Sequence, residues 1–215
     1  MATNGHVHSN GTAVHAQSRP LTPGVYAPIP TFFQKDTEDI GALIILIDPI
    51  FDLLICFEDI PTFEEHVIRV ARAGVGLVIG GSMGEAHHLS HEERSTLIRS
   101  ARHALDTAQP SLSHIPIIAG TGTGSTRETI QLSAEAAQAG ADVAIVIASG
   151  YFAAAIDQKA LKAFFAEVAD KSPIPVMIYN CKPLLPWLHL SCCISLIYRH
   201  FLVTSQTLAH LEDSI

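Results

Sequence analysis

An α/β fold on a parallel sheet is what these 215 residues predict, on three observations. Short β-branched runs alternate with longer segments of helical period. The alternation repeats at about 30 residues, the length of a βαβ unit. The short runs are apolar over four or more consecutive positions, as in strands covered on both faces. A doubly wound open sheet and a (β/α)8 barrel both satisfy this pattern, and periodicity does not choose between them.

The elements follow in order along the chain. Residues 1–19 are polar, carry His6, His8 and His15, and read as a disordered leader. No apolar run follows a basic start, so a secretory signal is not expected, and Arg19 is the only Lys or Arg there. The expected address is cytoplasmic. Gly24–Pro30 is a candidate first strand. Val75–Gly80, Ile115–Gly120, Asp142–Ala148 and Ile174–Tyr179 are four more.

Helices fill the intervals. Thr62 to Glu65, Ser90 to Glu93 and Ser125 to Glu128 each match the S/T-x-x-E capping box. Val67, Val70 and Ala71 follow the first at helical spacing. Leu97, Ile98, Ala101, Ala104 and Leu105 follow the second, and Ile130, Ala134 and Ala137 the third. A fourth helix is expected over Asp157–Asp170, with Leu161, Phe164, Phe165 and Val168. Gly74 and Gly140 suit the left-handed position that ends a helix.

Ala42–Phe57 is the most apolar stretch but is broken by Asp48, Pro49 and Asp52. A spanning helix needs about 20 apolar residues, so no membrane span is expected. Glu38-Asp39-Ile40 recurs as Glu58-Asp59-Ile60. Removing residues 41–60 would join Ile40 to Pro61, and these residues read as an insert.

Composition excludes other classes. The net charge of −8 argues against a nucleic-acid surface. Four cysteines in this length are no disulfide scaffold. In either α/β architecture, chemistry sits at the C-terminal ends of the strands. Three such ends stand out: Gly80-Gly81-Ser82-Met83-Gly84-Glu85, Gly120-Thr121-Gly122-Thr123-Gly124-Ser125 and Tyr179-Asn180. Glycine-rich loops can offer backbone N–H groups to a carboxylate or phosphate, although tight βα turns need glycine anyway. Neither loop has a nucleotide-binding spacing. His87 and His91 stand at i, i+4, but an N-cap at Ser90 puts His87 before the helix, and no metal site is expected.

Gly81-Ser82-Met83-Gly84-Glu85, Leu89-Ser90-x-x-Glu93-Arg94, Ala119-Gly120-Thr121-Gly122 and Tyr179-Asn180, in this order, resemble the motifs of the dihydrodipicolinate synthase / N-acetylneuraminate lyase family. The resemblance covers roughly residues 20–40 and 61–180. It implies a (β/α)8 barrel and class I aldolase chemistry on pyruvate or another 2-oxo acid with an aldehyde partner. Ser149-Gly150-Tyr151-Phe152 looks closest to fungal members similar to 4-hydroxy-2-oxoglutarate and 2-keto-3-deoxy sugar acid aldolases. The family needs no cofactor, because a lysine on the sixth strand forms a Schiff base with the keto carbon. By the resemblance, Tyr179 relays protons, Ser82 joins that relay, and Met83 stands where a second threonine is usual. The loop holding Ser82 and Met83 would anchor the substrate carboxylate through its amides, with Glu85 ordering it. Tyr151 would line the substrate site. Family members resemble dimers of dimers, so a homo-oligomer is the expected intact assembly.

After Asn180 the pattern stops. Residues 181–215 contain Lys182 and Arg199, neither in a G-[IV]-K strand context, and they hold Cys181, Cys192, Cys193 and Trp187. The expected organisation is a leader (1–19), a partial barrel of about five βα units (20–180, with 41–60 the insert) and a non-family tail (181–215). Such a chain is expected to lack the Schiff-base lysine and to be catalytically incomplete. Two alternatives remain: a non-catalytic product associating with full-length subunits, and an open-sheet phosphate-binding protein.

Overall fold

The computed structural model describes residues 19–33, 59–148 and 156–179. Five parallel strands form one sheet: β1 (Tyr26–Pro28), β2 (Gly76–Ile79), β3 (Ile117–Gly120), β4 (Val143–Ile147) and β5 (Val176–Tyr179). Four helices alternate with them: α1 (Asp59–Arg72), α2 (His91–Thr107), α3 (Thr126–Ala139) and α4 (Gln158–Lys171). The strands lie side by side in chain order, β1-β2-β3-β4-β5. A doubly wound sheet reverses its strand order at a switch point, where its ligand crevice opens. This sheet has no reversal among the described strands. It is a run of consecutive barrel units, and the open-sheet phosphate-binding alternative loses the crevice it required.

Side chains alternate across the strands. Leu77, Ile79, Ile117, Ala119, Ala144, Val146 and Val176 are buried toward the helices. Phe63 and Val67 of α1 and Leu97 and Leu105 of α2 meet the first four of these. Leu161, Phe165 and Val168 of α4 meet the last three. Each such leucine, isoleucine, valine or phenylalanine contributes about 1.5–3 kcal/mol by leaving water. On the opposite face, cross-strand pairing sets Val78 beside Ile118, Ile145 beside Met177, and Ile147 beside Tyr179.

The helix starts follow the hydroxyl signals with two corrections. At α2 the capping box is complete: Ser90 Oγ accepts from the Glu93 N–H and the Glu93 carboxylate accepts from the Ser90 N–H. At α3 only half forms. Ser125 Oγ accepts from the Glu128 N–H, but the Ser125 N–H donates to Thr123 Oγ1. The Glu128 carboxylate faces His91 instead. The box at Thr62 is absent, because α1 already runs from Asp59. Ile60 packs against the core one turn before Phe63 and two turns before Val67, so the apolar stripe starts earlier than Thr62. Pro61 is tolerated there because first-turn N–H groups have no helical partner. Asp157 caps α4, accepting from the Ala160 N–H at 2.7 Å.

At the N-terminal end of the sheet, Asp142 collects the polar groups. It accepts from the Ile117 N–H at 2.9 Å, Arg102 Nη2 at 3.1 Å, the Arg19 N–H at 2.9 Å and Arg19 Nη1 at 3.3 Å. Arg19 Nε also donates to the Ser113 carbonyl. Arg19, the last residue of the leader read as disordered, is thus tied down; a carboxylate brings it in from solvent. Burial, then the neighbouring Arg19, press the Arg102 guanidinium below its usual range, against Asp142 and Asp106.

No helix among the described residues is long and apolar enough to cross a membrane. Residues 41–58, most of the expected insert, lie outside the described residues.

Candidate functional site

The C-terminal ends of β2 and β3 lead into the two glycine loops, and these pack backbone on backbone. A Cβ on Gly120 would lie 2.0 Å from the Gly80 carbonyl oxygen, so only glycine fits. The loops differ in what their amides do. In the second loop the Thr121 N–H donates to the Ile145 carbonyl at 3.1 Å. The Thr123 N–H donates to Thr129 Oγ1 and the Ser125 N–H to Thr123 Oγ1, both at 3.2 Å. Thr121 Oγ1 is buried against Ser133 Oγ at 3.0 Å. These alternate donors are already engaged by the protein. The second loop braces β3 and β4, and the amides of Gly122 and Gly124, which have no acceptor among the described residues, are not consecutive.

The first loop is different. It turns on two internal bonds, Glu85 N–H to the Ser82 carbonyl at 3.2 Å and Ala86 N–H to the Gly81 carbonyl at 3.3 Å. The amides of Ser82, Met83 and Gly84 have no acceptor among the described residues. Ser82 and Met83 are exposed, Met83 at 59%. Three successive amide donors without partners form a local positive field suited to a carboxylate.

The remaining groups hold this loop in shape. Glu85 sits in the left-handed region at φ 52°, and its carboxylate lies 3.0 Å from His88 Nδ1. Thr31 Oγ1 donates to the Gly84 carbonyl at 2.7 Å. Arg94 of α2 donates to the carbonyls of Ala86 and Leu89. Burial holds the Arg94 pKa down, and Glu128 and Glu135 partly restore it. His91 stands between Glu135 at 2.8 Å and Glu128 at 3.4 Å, linking α2 to α3. His87 is exposed in a short turn of 3-10 helix at Ala86–His88. His87 and His91 therefore do not share a helix, and His91 is occupied in packing.

Tyr179 ends β5, paired with Ile147 and 39% exposed. It shares the C-terminal edge with Ser82, but β3 and β4 lie between their strands. At about 4.8 Å per strand that is roughly 14 Å along the sheet, and no hydrogen bond joins the two residues. Tyr151 and Asn180 lie outside the described residues. Sequence reading missed Thr31 and left Arg94 without a role. Arg94 stood in a quoted motif, whereas Thr31 belongs to no pattern that foretells a contact 53 residues away.

Residues 60–186, more than half of the chain, match the family model described as "Dihydrodipicolinate synthetase family". Among curated relatives, an Emericella nidulans protein named "Probable 4-hydroxy-2-oxoglutarate aldolase, mitochondrial" is 42% identical over 76% of this chain and 46% of its own length. The L-threo-3-deoxy-hexylosonate aldolase of Aspergillus niger is 42% identical over 75% and 43%. Among solved structures, YagE from E. coli K12, a dihydrodipicolinic acid synthase family protein in complex with pyruvate, aligns with TM-score 0.59 at 33% identity, over 76% of this chain and 46% of that one. A dihydrodipicolinate synthase family protein from Coccidioides immitis aligns with TM-score 0.60 at 34% identity, over 76% and 45%. The chain spans about half the length of the relatives it matches.

Proposed function

The chain belongs to the dihydrodipicolinate synthetase family, and from that premise we propose that its 81–85 loop binds the carboxylate of pyruvate or a related 2-oxo acid. The observation that carries this reading is the set of amides at Ser82, Met83 and Gly84, which have no acceptor among the described residues at the C-terminal edge of the sheet. Relatives named as aldolases and a neighbour solved with pyruvate support the substrate class.

In the reaction that the resemblance implies, a lysine amine condenses with the keto carbon and water leaves. The iminium draws electrons from the adjacent bond, so an aldehyde is released or an enamine attacks one. In this reading Ser82 and Tyr179 pass protons along the same edge. Met83 keeps the backbone donor but supplies no hydroxyl. Tyr151 lines the site, and the substrate is a 4-hydroxy-2-oxo acid or 3-deoxy-2-keto sugar acid. No lysine in residues 181–215 has the sixth-strand context, so the chain by itself carries the carboxylate cradle without forming the Schiff base.

Two measurements test this. Titration of the 15N-labelled chain with pyruvate should shift the amides of residues 82–84; absence of such shifts removes the reading. Borohydride trapping with pyruvate should leave every lysine unmodified in mass spectrometry. An adduct on any lysine restores the chain as a complete enzyme and refutes its proposed inactivity.

One further observation favours a second reading. Among the described residues, β1 and β5 each pair on one side only. Open parallel edges invite pairing with another chain, so association with full-length subunits is the competing role. Recovery of this chain in a complex with a co-expressed complete relative supports it; independent elution of both removes it. The proposed cytoplasmic address stands against relatives named mitochondrial, and imaging of a C-terminally tagged chain decides between them.

A further inference from the structure

We infer that Thr31 is a positioning residue for the 81–85 loop. The inference rests on the reading of that loop as a carboxylate cradle, and it names what holds the cradle in shape. Thr31 stands three residues beyond the end of β1, and its Oγ1 donates to the Gly84 carbonyl at 2.7 Å. The segment carrying it is itself anchored. The Ile29 N–H donates to the Val78 carbonyl at 2.9 Å, and the Ile29 side chain is 1% exposed. A Cβ on Gly84 would lie 2.9 Å from the Ile29 carbonyl oxygen, so segment and loop touch through their backbones.

The bond acts on a specific peptide. The Gly84 carbonyl belongs to the peptide that leads into Glu85, whose φ of 52° is unusual for a residue with a side chain. Fixing that carbonyl fixes the turn in which the preceding three amides lack acceptors. Arg94 holds the outgoing limb through the carbonyls of Ala86 and Leu89. The loop is thus gripped from the β1 side by a hydroxyl and from the α2 side by a guanidinium. Thr31 touches none of the three open amides and works through Gly84.

Amide hydrogen exchange on the purified chain, with pyruvate titration on the same samples, tests this. Thr31→Val keeps the branched shape and removes the donor; Thr31→Ser keeps the donor. Thr31→Ala serves as a second donor-free variant should valine misfold. The Glu85 and Ala86 amides, which close the turn, should exchange about tenfold faster in T31V and near the wild-type rate in T31S. Amides of β3 and β4 should not change. Pyruvate should bind about fivefold more weakly to T31V, and T31S should recover the wild-type affinity. Unchanged exchange at Glu85 and Ala86 overturns the inference. So does acceleration spread evenly over β3 and β4, which marks a general structural role. Faster exchange with unchanged pyruvate affinity overturns the link to binding. If the wild-type chain shows no pyruvate shifts, the carboxylate reading fails, while the exchange rates still decide whether Thr31 sets the loop.

Discussion

At the N-terminal end of the sheet, Asp142 is 3% exposed and accepts hydrogen bonds from two arginines and two backbone amides. At the C-terminal end, Ser82, Met83 and Tyr179 are exposed, and three consecutive amides have no acceptor among the described residues. The first end is satisfied internally apart from the buried Arg102 Nε, and it holds the strands together. The second leaves donors open for something else. Barrels of this type separate stability from chemistry in the same way, with the active face at the strand C-termini. What differs between the ends is where the polar groups find their partners.

The largest expected effect is at the satisfied end. Asp142→Ala strands two guanidinium groups in a largely buried setting, and breaking such a pair costs about 3–5 kcal/mol. Urea unfolding measures it, and a loss under about 1 kcal/mol would mean that solvent replaces the carboxylate freely.

Gly120→Ala is the mutation that breaks the comparison, because it lies at the open end yet should cost about 3 kcal/mol. Its Cβ would meet the Gly80 carbonyl, which is backbone and cannot swing aside. A stable G120A protein would show that the two glycine loops separate without penalty.

Ser90→Ala removes the complete capping box of α2 and should cost about 1 kcal/mol. The capping bonds lie beside the loop rather than in it, so pyruvate-induced shifts should survive. Ser82→Ala and Met83→Thr sharpen the contrast from the other side. Both side chains are exposed and have no hydrogen-bond partner among the described residues, so unfolding should move by less than about 0.5 kcal/mol. A larger change would mean that these side chains serve the fold.

The smallest effect concerns pH. Burial, then Arg69, hold His66 below its ordinary value of 6.5. Arg69 Nη2 lies 2.6 Å from His66 Nδ1 and Phe32 meets the ring edge-on. The unfolded chain binds a proton there more readily than the folded one. Stability therefore rises with pH through the window just below 6.5 and is lost on acidification. His66→Gln should flatten this part of the stability profile; an unchanged slope assigns it to other groups.

Much of the fold was legible because the signals are local. The five apolar runs became five strands, and Ser90, Asp157 and Gly140 mark helix ends as their chemistry requires. The Thr62 box failed because burial of Ile60 and Phe63 outweighed a cap. At Ser125 the carboxylate of Glu128 turned to His91, 37 residues away. Of the candidate site, the motifs located Ser82, Met83 and Tyr179 at one edge. They did not reveal that the second glycine loop has its own acceptors, nor that Thr31 reaches Gly84.

The sequence by itself determined the α/β class, the element order and the family, since period, capping and motif spacing are properties of neighbouring residues. Periodicity left an open sheet and a barrel run both possible, the motif resemblance implied the barrel, and the strand order bears it out; only the tertiary structure decided between two glycine loops of similar composition. Both decisions depend on partners distant in the chain: which strand lies beside which, and whether an N–H meets an acceptor.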